Sequence, residues 1–231
     1  TPAVAGTIGA DGWYRSDVNV SWTVSDSESE VTSTAWCEPS AITQDTAGHT
    51  LTCQATSAGG TTSQSVTVKR DATPPTISGS RAPAVNGYGW NNTDVMVSFT
   101  CSDGLSGIDS CGPTPQAVTA EGTGQSRTGT AVDKAGNTAS TTVGGIIIDK
   151  TAPVVAILTP PQGAEYLLGD AVQAQWNASD ALSGVVSTTA GAVDTSTPGF
   201  KTFSVTASDR AGNSTTADTS YTVLSLEGAM D

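Results

Sequence analysis

The sequence predicts an all-β chain of three small β-sandwich domains in tandem, from a fixed internal repeat and a strand-forming composition. The apolar alternation Val18, Val20, Trp22, Val24 recurs as Val95, Val97, Phe99, Cys101 and as Val172, Ala174, Trp176, Ala178, an offset of 77 residues each time (95 − 18 and 172 − 95). Alternation with period two lines one face of a strand, and a step this long is a module length rather than one turn of a solenoid. Of the 231 residues, 36% are hydrophobic and 5% aromatic, while Ser, Thr, Gly, Ala and Val fill most of the chain. Such usage favours many short strands. No amphipathic run of helical period and no apolar stretch long enough to span a membrane is present.

Each repeat can be followed in order. Trp13, Trp90 and Tyr166 open the three copies, and the alternating strand runs into an Asp marker. That marker reads Asp103-Gly104-Leu105-Ser106-Gly107 and Asp180-Ala181-Leu182-Ser183-Gly184, with Asp26-Ser27-Glu28-Ser29-Glu30 as its counterpart. A second marker precedes the last strand: Asp133-Lys134-Ala135-Gly136-Asn137, Asp209-Arg210-Ala211-Gly212-Asn213 and the degenerate Ser57-Ala58-Gly59-Gly60. An Asp that bonds its own backbone, followed by Gly and Asn that tolerate positive φ, makes a hairpin turn, so the last two strands of every repeat should pair antiparallel. Asp71-Ala72-Thr73-Pro74-Pro75 and Asp149-Lys150-Thr151-Ala152-Pro153 follow. Proline cannot donate to a ladder and extends its predecessor, so these segments read as short, stiff linkers that lead into the next first strand. The domains predicted are residues 1–73, 74–151 and 152–231.

A sandwich of this size has a thin core, burying little over about 60% of its unfolded surface, and benefits from a staple. Cysteines supply one in two of the copies. Four cysteines allow three connectivities, and pairing inside each repeat, Cys37 with Cys53 and Cys101 with Cys111, closes short loops and keeps the modules independent. Disulfides imply an oxidising compartment. The third repeat lacks cysteine and should rely on packing around Trp176, Phe200 and Phe203. The chain carries no signal peptide at Thr1 and reads as a mature or excised piece of something larger. Leu226–Asp231 fits no repeat.

The Gly12-Trp13 opening, the Ser-Asp followed by Leu-Ser-Gly, the Asp-Lys/Arg-Ala-Gly-Asn turn and the Asp-Lys-Thr-Ala-Pro linker resemble the bacterial immunoglobulin-like repeats of large secreted and cell-surface proteins. The likeness covers nearly all of residues 10–223. It departs in the worn second marker of the first repeat and in Glu165-Tyr166, which replaces Gly-Trp in the third. The resemblance implies three Ig-like β-sandwiches serving as spacer, stalk or adhesive segment of a longer secreted or surface protein. The alternative is an accessory carbohydrate-binding region of a secreted hydrolase. Fold alone assigns neither.

Catalytic chemistry is absent from the motifs. His49 is the only histidine, so a Ser-His-Asp or Cys-His set has one candidate base, in a Thr-rich stretch that reads as a polar edge. No nucleophile elbow, zinc-protease helix or phosphate-cradling loop occurs, and the carboxylates lie at turns rather than in an apolar cleft. No enzyme activity is predicted. Nine Lys+Arg against 22 Asp+Glu give a net charge of −13, which repels phosphate backbones and excludes a nucleic-acid partner. The partner expected is an unidentified cell-surface or glycan ligand, met by a monomeric segment. Trp13, Tyr14, Tyr88 and Trp90 cluster near module openings and are candidates for stacking on sugar rings, with core-edge packing as the competing use. No cofactor is predicted, calcium excepted. Asp71 and Asp149 at the linkers, with the Asp markers at strand ends, could bring oxygens together at module junctions. Turn formation explains each of them without a metal.

Overall fold

The computed structural model describes residues 1–225, so the predicted odd tail at Leu226–Asp231 lies outside the described residues. These form nineteen β-strands and, among the described residues, no α-helix. Among the described residues no helix is long and apolar enough to cross a membrane.

In the first repeat β1 (Pro2–Ala5), β3 (Val18–Trp22) and β5 (Ser40–Ile42) make one sheet. The facing sheet has the order β2-β7-β6-β4, from β2 (Trp13–Tyr14), β4 (Val31–Ala35), β6 (Thr46–Ser57) and β7 (Gly60–Arg70). Alternation along β3 buries Val18 and Val20, which meet Ile42 of their own sheet and Val68 of the other. Trp22 and Tyr14 pack against that cluster. Each fully buried Val contributes on the order of 1.5–3 kcal/mol, so four buried residues make a modest core.

The middle repeat follows the same plan. β8 (Thr76–Ala82), β9 (Val95–Ser102) and β11 (Gln116–Val118) form a sheet in the order β11-β9-β8; β10 (Ile108–Gly112), β12 (Gly122–Asp133) and β13 (Thr138–Ile148) form another in the order β10-β12-β13. Phe99 of β9 lies so close over Gly129 of β12 that a methyl there would overlap its ring. The glycine is therefore a packing requirement.

In the third repeat β14 (Val154–Thr159) pairs with β16 (Gln175–Ser179), while β15 (Ala164–Leu167), β17 (Val185–Ala190), β18 (Gly199–Asp209) and β19 (Ser214–Leu224) form a sheet in the order β15-β19-β18-β17. Phe203, Val205, Tyr221 and Val223 are its core, with Trp176 packed on from the opposite sheet. Trp176 and Phe203 meet at 6.4 Å between ring centroids, and Tyr166 and Tyr221 meet edge-on at 5.8 Å. Phe200 is a correction to expectation. It is 73% exposed, because it stands three residues before Phe203 on one strand and an odd separation points it to the other face.

The final hairpins are antiparallel in the first and third repeats, β6 with β7 and β18 with β19, and β12 neighbours β13 in the middle one. Both disulfides are the expected ones. They do different work. Cys37–Cys53 ties the end of β4 to its own neighbour β6, whereas Cys101–Cys111 joins β9 and β10 across the two sheets.

By contacts the described chain divides into two compact units. One holds residues 1–80, 97–116 and 127–143; the other holds residues 81–96, 117–126 and 144 onward. Each unit contains one linker with the loops that flank it.

Candidate functional site: an aspartate triad at each linker

In the first unit the linker is clamped on both sides. Arg70, the last residue of β7, donates to the Asp45 carboxylate at 2.6 Å and to Asp17 at 2.8 Å. Asp45 also accepts the Ala72 N–H and the Thr73 hydroxyl at 2.9 and 2.7 Å, fastening the linker to the first repeat. Burial pushes the Asp45 carboxyl up, but the Thr73 hydroxyl, the Ala72 N–H and the Arg70 guanidinium together hold it below the ordinary aspartate value. Beyond Arg70 the chain turns into Asp71, which is completely buried. Asp71 accepts the Thr73 N–H at 3.0 Å through Oδ1 and the Ser106 N–H at 3.0 Å through Oδ2.

Two further aspartates converge there. Asp103 Oδ1 accepts the N–H groups of Leu105 and Gly107 and the Ser106 hydroxyl, and Gly107 takes φ 80° to present its N–H. Asp133, 1% exposed, accepts the backbone N–H of Asn137 and its side-chain amide, both at 2.8 Å. The same Asn137 amide donates to the Asp71 carbonyl at 2.9 Å. One oxygen from each of Asp71, Asp103 and Asp133 lies within 4.8 Å of the other two.

The second unit repeats this centre. Asp149 is fully buried and accepts the Thr151 and Ser183 N–H groups at 3.1 and 2.9 Å. Asp180 Oδ1 accepts from Leu182, Gly184 and the Ser183 hydroxyl. Asp209 accepts from Gly212 and from both nitrogens of Asn213, whose amide also reaches the Asp149 carbonyl at 2.9 Å. Asp149, Asp180 and Asp209 likewise bring ligand oxygens within 4.8 Å of one another.

Every donor just named is neutral, so none cancels the three formal charges. Two ligands of a single calcium ion lie no farther apart than twice its bond length of roughly 2.3–2.6 Å. Both triads meet that limit, and all-oxygen donors suit a hard cation. Asp103 Oδ2 and Asp180 Oδ2 accept no hydrogen bond among the described residues. The first repeat departs from the pattern: Asp26 holds the Glu28 and Ser29 N–H groups, but Ser57 stands where the others have Asp133 and Asp209. The Glu28 N–H, the Ser57 and Ser29 hydroxyls and the Ser29 N–H hold the Asp26 carboxyl down to about 2.

A second contact line runs beside each triad. In the first unit the Ala10 N–H donates to the Lys134 carbonyl at 2.7 Å, and Arg15 donates to the Gly136 carbonyl at 2.8 Å. Gly9 sits so near the Ala135 carbonyl that a Cβ would overlap it. In the second unit the Asn86 amide donates to the carbonyls of Arg210 and Ala211. The loop before each Trp thus seats on an Asp-Lys/Arg-Ala-Gly-Asn turn. No motif spacing announced this seat.

The structure scatters the predicted aromatic candidates. Trp13 is buried beneath the Lys69 ammonium, 5.2 Å from its ring, and Tyr14 packs on the first core. Trp90 is half-buried and Tyr88 is 59% exposed. Trp36 is 74% exposed, at φ 58° beside the Cys37–Cys53 bridge. An aromatic at positive φ is a rare, costly conformation. His49 lies in β6 opposite Val68 and is exposed.

No protein-family model matches the chain. No curated protein matches it either. Among solved structures the chain is similar to extracellular cadherin domains 1–5 of protocadherin gamma B2, at 15% identity and a TM-score of 0.32, over 82% of this chain and 48% of that one. It is also similar to an I-band fragment of titin, at 11% identity and a TM-score of 0.42, over 97% of this chain and 98% of that one. A third likeness is to immunoglobulin domains 1–5 of Sidekick-1, at 11% identity and a TM-score of 0.37, over 97% and 59%. The chain spans about half the length of the protocadherin fragment. At these scores the likenesses assign no function.

Proposed function

We propose that the chain is a non-catalytic, extracellular spacer or adhesive segment of a bacterial secreted or surface protein, built of three immunoglobulin-like modules at residues 1–73, 74–151 and 152–231. One observation carries this reading: the chemistry-bearing side chains are spent on the linkers. Asp71 and Asp149 splice each linker into the loops that follow it, and no base, nucleophile and cleft come together among the described residues. Such wiring stiffens a junction, which is what a spacer requires. Backbone relaxation by NMR tests it. The amides of residues 18–70 and 97–112 should report one correlation time, and Asp71→Ala should split it into two. Independent tumbling in the unaltered chain would overturn the proposal.

Calcium at each triad is part of this reading, favoured by three carboxylate oxygens gathered within 4.8 Å at two places one repeat apart. Asp71 and Asp149 would each lend a linker carboxylate, and the ion would offset the charge gathered there.

The exposed Trp36 and Tyr88 support the second reading, an accessory carbohydrate-binding region. Polysaccharide quenching of tryptophan emission that Trp36→Ala abolishes would favour it over the spacer.

A further inference from the structure

The third repeat turns an apolar strand edge to the solvent. Its smaller sheet has two strands, and β14 pairs with β16 along one side. Among the described residues no strand pairs with its other side, so alternate backbone N–H and C=O groups of β14 point into water. Native edges are commonly blunted by a lysine, a proline or a short strand. β14 reads Val154-Val155-Ala156-Ile157-Leu158-Thr159, six residues with no charge and no proline. Its one irregularity is a register shift between Ile157 and Thr159. Segments of this composition pair strand to strand between molecules.

The outward face of the strand is apolar as well. Counted from the linker aspartates Asp71 and Asp149, Val154, Ala156 and Leu158 stand where the middle repeat has Thr76, Ser78 and Ser80. All six are exposed. Val154 is 68% and Leu158 51% exposed, so hydrocarbon meets water where the sibling strand keeps hydroxyls. β8 also interrupts its edge with Gly79 and Arg81, and β14 has no such break. Core packing accounts for Val155 and Ile157, which lie against the buried cluster of the third repeat. It does not account for the outward three.

Charge decides what can cover them. On β16 the neighbouring outward residues are Gln175, Asn177 and Ser179, which are also uncharged. The chain as a whole carries −13, so two copies repel each other over most of their surface and least across this neutral strip. The strip is also complementary to itself. An antiparallel partner with its twofold axis at Ala156 sets Val154 opposite Leu158 of the other copy and Ala156 opposite Ala156 on the outward face, with Val155 opposite Ile157 on the core face. A slip of one residue would set outward side chains against core-facing ones.

We propose that β14 is a self-association edge, through which two copies of this chain pair antiparallel, centred on Ala156, into a sheet of order β16-β14-β14-β16. Main-chain bonds supply affinity, and the apolar strip supplies register. The proposal uses no residue of either aspartate triad, so it stands or falls apart from the spacer reading.

Sedimentation equilibrium of the full chain tests it. The mass should climb from 23.1 kDa toward twice that value as the protein is concentrated. Raising salt from about 0.01 to 1 M shortens the Debye length from about 30 to 3 Å, and association should tighten by about tenfold or more as the repulsion is screened. Salt that weakens it would place ion pairs at the interface and overturn the proposal. Ala156→Lys, at an exposed position, sets two ammonium groups face to face on the axis and should weaken association by about tenfold or more. It does so while lowering the net negative charge of each copy, which by itself would favour association. Ser78→Lys, the equivalent change in the middle repeat, should leave association unaltered. Ala156→Cys adds a single free thiol to a chain whose four cysteines are all in disulfides. Oxidised glutathione should link two copies through it, and through Val154→Cys far less. A chain that stays monomeric at every concentration and salt overturns the edge. So does a dimer that Ala156→Lys leaves intact, that Ser78→Lys disrupts equally, or that links equally through both cysteine variants.

Discussion

The carboxylate of Asp71 accepts the backbone N–H of Ser106 at 3.0 Å across 35 positions of sequence, and Asp149 accepts that of Ser183 at 2.9 Å across 34. A linker residue is thereby written into the loop of the repeat that follows. Both partners in each pair are buried. Replacing Asp71 by Ala strands the N–H groups of Ser106 and Thr73, each at about 1–3 kcal/mol. Asp71→Ala should therefore lose about 2–6 kcal/mol of unfolding free energy in chelator-treated protein, read by denaturant titration. A loss below experimental error would show that water replaces the carboxylate freely.

Calcium should raise the melting temperature of protein first stripped with chelator. An ion at a hundred times its dissociation constant stabilises by about 2.7 kcal/mol. Asp103→Asn with Asp180→Asn, which lowers the charge of both triads at their half-buried members, should abolish the rise. An unchanged melting temperature in the unaltered protein removes calcium from the account.

Acid should loosen the first linker through Asp45. Its carboxyl is held below the ordinary 3.8 by Thr73, Ala72 and Arg70, so its contribution is present above about pH 4 and is lost as pH falls through the lower, folded value. Asp26, held down to about 2, loses its contribution over the window from about pH 4 to 2. The Asp45→Asn variant should be less stable than the parent at pH 7, and the gap should narrow below pH 4. A gap that is constant with pH would mean that the ionised carboxylate is not what fastens the linker.

Tyr221 locks the third repeat from inside. Its hydroxyl accepts the Asp194 N–H at 2.8 Å and donates to the Asp194 carbonyl at 2.9 Å, while its ring is almost fully buried against Tyr166. Tyr221→Phe keeps the ring and strands both backbone groups, for a loss of about 1–3 kcal/mol. Calorimetry that leaves the melting transition of the third repeat in place would refute the assignment. The Asp194 carboxylate, held far below its ordinary value by Lys201 and Ser196, is not involved.

Much of this was legible in the sequence because it is local. Alternation marks a strand wherever one face is buried, so Val18 and Val20, and Val95 and Val97, are core residues as their period requires. The Asp-Lys/Arg-Ala-Gly-Asn words are turns because Asp133 and Asp209 bond N–H groups three to four residues on. The cysteine pairs close short loops within one repeat, where few geometries compete. The exposure of Trp36 and Phe200 was not legible. Residue type says that an aromatic can be buried, but the turn beside Cys37 and the parity of β18 decide that these two are not.

The sequence by itself determined a chain of repeated strands and turns, since period, glycine placement and proline act over a few residues and are written where they act. Tertiary structure alone decided that Asp71, Asp103 and Asp133 share one centre, and Asp149, Asp180 and Asp209 another. Residues some thirty positions apart meet only when two sheets close on a common core and swing their end loops together. No pattern along the chain encodes that distance, because it is set by how the layers pack.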